Sequence, residues 1–272
     1  VTEHFGRHSH APTAGLNGTE PIRADDSAGS LVNASAKTTR RRLLTAGAVA
    51  VGSTLLTTGQ ASADGYGSGA LGPWENLSKA ISTLTQIRPV LDTDGLFMFG
   101  DSISVQDGYT LAQRLHSRTG DVIAVHNWSG RPTAPAVDAL AQWSQTYGLP
   151  RRILMATGSN DIFTPPVFAA QVDRTMTVVG PTRTVYWVNT QVSRTGQPAA
   201  VQLADQRNSA WINLQLADAQ RRHPNLRVIR WAEFLAAKPT RLTAYLRDGV
   251  HTTEPLGQDA RNELIVQAIE AG

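Results

Sequence analysis

"LFMFGDSIS", Leu96 to Ser104, is an apolar run that ends on Gly-Asp-Ser and then turns polar. A short run of this kind, rich in aromatic residues and bounded by turn residues, reads as a β-strand, and the chain leaves it at Gly100-Asp101-Ser102. Four further runs share the pattern: "DVIAVHN" (121–127), "RILMATG" (152–158), "TVYWVNT" (184–190) and "LRVIRWA" (226–232). Between them lie "YTLAQRLHSR", "APAVDALAQWSQTYG", "PVFAAQVDRTMTVVG" and the long "PAAVQLADQRNSAWINLQLADAQRRH", all with helical periodicity, and "PLGQDARNELIVQAIEA" follows as a last helix. Apolar strands alternating with helices predict an α/β fold, a parallel sheet of about five strands covered on both faces.

Upstream, "DGYGSGALGP" (64–73) reads as a Gly-rich linker and "WENLSKAISTL" (74–84) as a short helix packed outside the first strand. The expected organisation is a leader over residues 1–63, a linker and short helix over 64–94, and one domain over 95–272 without internal repeats.

In open parallel sheets, ligands bind beyond the carboxyl ends of the strands. Ser102 falls at that edge, although Gly-Asp-Ser is also ordinary turn vocabulary. Three other stretches reach the same predicted edge: "NWSGRPT" with Gly130, "TGSND" with Asn160, and "RDGVHTT" with Asp248 and His251 three residues apart.

Taken in order, "GDSIS", "SGRPT", "GSND" and "DGVH" resemble the SGNH hydrolases, also called GDSL esterases, over essentially all of residues 95–272. The specificity lies in the ordered set and not in any one member. The resemblance implies a flavodoxin-like three-layer α/β/α sandwich, with Ser102 as nucleophile and His251 as base supported by Asp248. It also implies an oxyanion hole made of Ser102, Gly130 and Asn160. Ile103 stands where the family carries Leu after Gly-Asp-Ser, a departure that leaves the reacting atoms alone.

The chemistry is consistent on its own terms. A serine hydroxyl is a weak nucleophile near neutral pH and needs a base within hydrogen-bond reach. A histidine, with an ordinary pKa of about 6.5, can take that proton and return it to a leaving group. A nearby carboxylate fixes the imidazole tautomer and stabilises the imidazolium. Bland readings stand beside each assignment: Asn160 and Gly130 as turn residues, and Asp248 as a turn cap. His251 has three rivals, of which His116 lies mid-helix, His223 ends a helix and His126 sits at a strand end. Arg131 and Trp128 are candidates for contact with substrate, and Trp187 and Trp231 either line a pocket or fill the core.

The composition excludes several classes. There is no cysteine, which removes thiol nucleophiles and thiolate metal sites. Asp248 and His251 alone do not make a ligand set, so neither metal nor cofactor is expected. The formal net charge is +3, but residues 1–63 hold six Lys/Arg and four Asp/Glu, leaving nineteen basic against eighteen acidic residues. That balance gives no warrant for a nucleic-acid partner.

The leader contains "TTRRRLLTAGAVAVGSTLLTTGQASADG", Thr38 to Gly65. Arg40 to Arg42 precede the uncharged stretch Leu43 to Leu56, and "ASA" at 61–63 supplies small residues for cleavage near Ala63. The 14-residue stretch is too short for a membrane anchor, which needs roughly 20 apolar residues. "TRRRLL" resembles a twin-arginine export signal, implying the twin-arginine machinery as partner of the precursor. Residues 1–37 form a polar leader or lie upstream of the true start. The mature chain is expected outside the cytoplasm, monomeric and without a stable anchor.

Substrate is the least legible feature. An acyl ester of a small molecule, a lipid or a glycan fits, as does O-acetyl hydrolysis or transfer on a cell-wall polysaccharide. "VIRWAEF" (228–234) before "DGVHTT" is similar to SGNH domains of that last kind. A non-catalytic glycan-binding module is the reading from another class. Changing Arg40 and Arg41 to lysine should leave precursor in the cytoplasm, as cell fractionation would show; unimpaired export would remove the twin-arginine assignment.

Overall fold

The computed structural model describes residues 65–272; the leader and export signal expected over residues 1–63 lie outside them. Strand β2 (Leu96–Gly100) has all five residues buried, which requires cover on both faces. Phe97 and Phe99 point into one apolar layer with Trp143 and Val172, while Leu96 and Met98 point into the other with Leu111 and Ile265. The neighbours repeat this division: β3 (Ile123–Trp128), β4 (Arg152–Ala156), β5 (Thr184–Val188) and β6 (Leu226–Ile229) run parallel to β2 in the order β3-β2-β4-β5-β6. This is the flavodoxin-like strand order. Helices α2 (Ser102–Thr119), α3 (Thr133–Tyr147), α4 (Phe168–Val179), α5 (Ala199–Arg222) and α8 (Leu256–Glu270) supply the covering layers.

The sheet has six strands, not five. Lys79–Ile81, expected within a short helix, forms β1, which pairs antiparallel with β3 through Lys79–Trp128, Ala80–Asn127 and Ile81–His126. Pairing to the open edge of β3 overrides the helical pattern of "WENLSKAISTL". The Lys79 ammonium adds a contact, 3.5 Å above the Trp128 ring. The helix begins later as α1 (Leu84–Asp92), where the Gln86 side chain accepts the Thr83 N–H at 2.8 Å. Ile87 and Val90 enter the core, so residues 79–92 belong to the folded layers. Two six-residue helices, α6 (Trp231–Ala236) and α7 (Thr240–Tyr245), were not expected from the sequence. Among the described residues no helix is long and apolar enough to cross a membrane.

The crossover that positions the site is at β2. The chain goes from β2 to β3 on one side and then passes over to β4 on the other, opening a crevice at the carboxyl end of β2. Helix α2 starts almost at once, so close that a Cβ on Gly100 would stand 2.1 Å from Ser104 Oγ and 2.2 Å from Ser104 Cβ. Gly100→Ala must therefore push the helix off the strand. We expect a loss of roughly 3 kcal/mol, typical of overpacking, or a Tm lower by about 6–12 °C; a melting curve that superimposes on wild type would disprove this account.

Candidate active site

Asp101 connects β2 to α2. Its N–H donates to the Ala156 carbonyl at 3.2 Å, and its carboxylate caps the helix by accepting the Ile103 N–H at 3.1 Å. Ser102 is the first helical residue, so its own N–H has no helical acceptor. Among the described residues it takes up no other, which leaves a donor at the positive end of α2.

The loop before α8 brings His251 to this point. His251 Nε2 lies 2.8 Å from Ser102 Oγ, and His251 Nδ1 lies 2.8 Å from Asp248 Oδ2. With Nδ1–H donating to the carboxylate, Nε2 is left to accept from the serine hydroxyl. Asp248 Oδ1 also accepts the N–H groups of His251 at 2.8 Å and Val250 at 3.0 Å. Burial opposes its charge, but these bonds and the imidazole outweigh burial and hold the Asp248 carboxyl below its ordinary value. The loop closes through Arg247 N–H to the His251 carbonyl at 2.9 Å. Gly249 touches the neighbouring 193–195 segment: its φ is +82°, and a Cβ there would meet the Ser193 carbonyl oxygen at 1.8 Å.

Gly130 and Asn160 join the same crevice as Ser102 and His251. Gly130 has φ +75°, and a Cβ there would approach Trp74 Cβ at 2.9 Å and Leu77 Cδ1 at 3.0 Å, so its glycine is required by packing as well as by the turn. Its N–H has no acceptor among the described residues. Asn160 Nδ2 donates to the Arg131 carbonyl at 3.1 Å, which fixes the amide beside the Gly130 turn. Next to it, buried Asp161 accepts the Thr133 N–H at 3.0 Å and the Thr133 hydroxyl at 2.7 Å, tying the β4 loop to the start of α3. Burial pushes the Asp161 carboxyl up to about 6 despite those bonds.

Arg131 and Trp128 do not contact the crevice as expected. Arg131 is fully buried; its Nε donates to the Gly100 carbonyl at 3.0 Å and its Nη1 to His126 Nδ1 at 2.8 Å, with Nη2 bonded to the His126 carbonyl. It braces the end of β2 from behind. The same cluster occupies His126, whose pKa falls to about 4 through burial and the Arg131 charge. Trp128 packs edge-on against Trp74 and donates its Nε1–H to the Trp74 carbonyl at 3.1 Å. Trp187 and Trp231 are core residues.

A second buried network was not anticipated. Asp107, on α2, is fully buried, and its carboxylate accepts the Thr252 hydroxyl at 2.8 Å. Gln106 Nε2 donates to the Thr252 carbonyl at 3.1 Å and hydroxyl at 2.8 Å, and Arg261 of α8 lies 3.7 Å from Asp107. Burial pushes the Asp107 carboxyl above its ordinary range, against the pull of Arg261. This network anchors the residue after His251 to the helix that begins with Ser102. Only the burial of Asp107 on an otherwise ordinary helix face distinguishes it, and no sequence signal shows that burial.

Among the described residues no group of three His, Asp or Glu is placed to hold a metal ion. A hollow of about 380 Å³ at the opposite edge of the sheet is lined by Asp94, Arg151 and Arg152, with Asp94 and Arg151 paired to each other. It holds no nucleophile and base in contact, so the Ser102 crevice is the candidate site.

Thr252→Val keeps the shape of the side chain and removes the tether. The expected result is a fall in kcat of roughly 10- to 100-fold with KM nearly unchanged, restored by Thr252→Ser. An equal loss in the serine variant, or a change confined to KM, would show that the tether does not position His251.

No family model and no curated protein matches the chain. Solved structures do resemble it. A lipase/acylhydrolase from Enterococcus faecalis aligns with a TM-score of 0.52 at 20% identity, over 65% of this chain and 95% of that one. A GDSL-like lipase from Bacteroides thetaiotaomicron aligns with a TM-score of 0.53 at 15% identity, over 71% of this chain and 92% of that one. A candidate SGNH hydrolase from Slackia heliotrinireducens aligns with a TM-score of 0.51 at 20% identity, over 64% of this chain and 97% of that one. The strand order, the three layers and these likenesses together establish that the chain has the α/β/α fold of the SGNH hydrolases.

Proposed function

We propose that the chain is an exported serine ester hydrolase that cleaves acyl esters through an acyl-enzyme intermediate. The observation that carries this is the continuous chain of contacts from Ser102 Oγ to His251 Nε2 and from His251 Nδ1 to Asp248, at 2.8 Å each. As Ser102 Oγ attacks the ester carbon, its proton passes to His251 Nε2 and the carbonyl oxygen becomes an oxyanion. The Ser102 N–H, the Gly130 N–H and the free hydrogen of the Asn160 amide are the donors for that charge. The C–O bond to the alcohol then breaks and His251 protonates the departing oxygen. Water, deprotonated by the same imidazole, releases the acid and regenerates Ser102. Asp248 stays ionised throughout, consistent with the bonds that hold its pKa down.

A second reading gives the acyl group to a hydroxyl other than water. A cleft of about 500 Å³ beside Ser102, wide enough for a sugar, supports it. Product analysis with and without a glycan acceptor separates the two.

The test is turnover of p-nitrophenyl acetate and butyrate by the full chain beside its variants. Ser102→Ala should abolish turnover and leave the circular dichroism spectrum unchanged. Asn160→Ala should lower kcat by roughly 10²–10³ with little change in KM, because its amide acts mainly on the oxyanion. Activity of the alanine variant at Ser102 equal to wild type would exclude the mechanism; an Asn160 effect seen only in KM would reassign that residue to substrate binding.

A further inference from the structure

Two hollows of different size meet at Ser102. The wider and more open cleft, about 500 Å³, is bordered by Leu77, Ser78, Val105, Gln106, Ser129 and Arg247. The other, about 260 Å³, is walled by Ile162, Phe163, Val192 and Val250. Arg194, Gly196 and Gln197 line the same pocket.

Arg194 is not a loose surface arginine. Its Nε and Nη2 donate to the two carboxylate oxygens of Asp205 at 2.8 Å each, and its backbone N–H donates to the same carboxylate at 3.2 Å. Asp205, on α5, is fully buried. Nη2 also bonds the Ser68 carbonyl, and the guanidinium carbon lies 5.0 Å above the Phe163 ring. A paired and bidentate guanidinium of this kind is held in one orientation. It cannot swing aside for a longer apolar chain without breaking its bonds to a buried carboxylate.

We propose that the smaller pocket takes the acyl group and that the Arg194–Asp205 pair sets its length, making the substrates esters of short acyl groups. This rests on the serine ester hydrolase reading. The apolar walls match an acyl chain, while the wider, more open cleft suits an alcohol that must leave to solvent and be replaced by water. At about 30 Å³ for each water-sized group, the pocket holds roughly eight carbon-sized groups. Each methylene buried in it raises kcat/KM by up to about fourfold, and a methylene beyond it meets a fixed cation and gains nothing.

The experiment is a chain-length series of p-nitrophenyl esters, acetate to dodecanoate, with the full chain, the Ser102→Ala variant, and two pocket variants. One pocket variant combines Arg194→Met with Asp205→Asn, so that no buried charge is left alone; the other is Phe163→Ala. For wild type, kcat/KM should rise to between butyrate and octanoate and fall at least tenfold by dodecanoate. In each pocket variant the dodecanoate-to-butyrate ratio should rise tenfold or more. Wild-type preference for dodecanoate, or an unchanged ratio in pocket variants that still hydrolyse butyrate, overturns the inference while leaving the esterase reading in place. No Ser102-dependent turnover at any chain length overturns that reading and the inference with it.

Discussion

The carboxyl end of β2 has no room for a side chain, and the geometry of the site follows from that constraint. Because Gly100 lacks a Cβ, Ser104 packs directly against it and α2 begins at Ser102 with no intervening loop. A serine placed there carries its hydroxyl and an unpaired N–H at the start of a helix, at the point where the sheet order reverses. The candidate nucleophile and oxyanion donor are thus set by the same turn. The helix dipole adds a favourable potential for negative charge at that place.

What holds the other components against Ser102 is buried polar structure. Asp101, Asp107, Arg131, Asp161 and Arg261 are each 3% exposed or less, all near one edge of the sheet. Burying such groups is unfavourable unless they are bonded, and the bonds join segments that are remote in the chain. Arg131 holds the end of β2 to β3, Asp161 holds the Asn160 loop to α3, and Asp107 holds the His251 loop to α2. Burial raises the Asp101, Asp107 and Asp161 carboxyls, so this edge of the molecule gives up some stability in exchange for fixed positions.

The same logic divides the crevice. One side is a small pocket with apolar walls and an arginine locked to buried Asp205, the other a wider and more open cleft. Ser102 and His251 stand at the boundary of the two.

The sequence by itself determined the alternation of strands and helices, because strands covered on both faces must be apolar throughout, as in "LFMFG" and "RILMA". It also determined that the Ser102, Gly130 and Asn160 stretches lie at the carboxyl edge, since turn residues mark where β2, β3 and β4 stop; the Asp248–His251 loop follows α7, and only the tertiary structure brings it to that edge. It could not reveal β1, whose strand form comes from pairing with β3 and not from its own periodicity. Nor could it show that Arg131 faces inward, that Asp107 grips Thr252 across 145 residues, or that Asp205 fixes Arg194. Local propensity and hydrophobic pattern report how a segment meets water. Which buried charge meets which partner is decided only when distant segments close on one another, and there the tertiary structure alone made the choice.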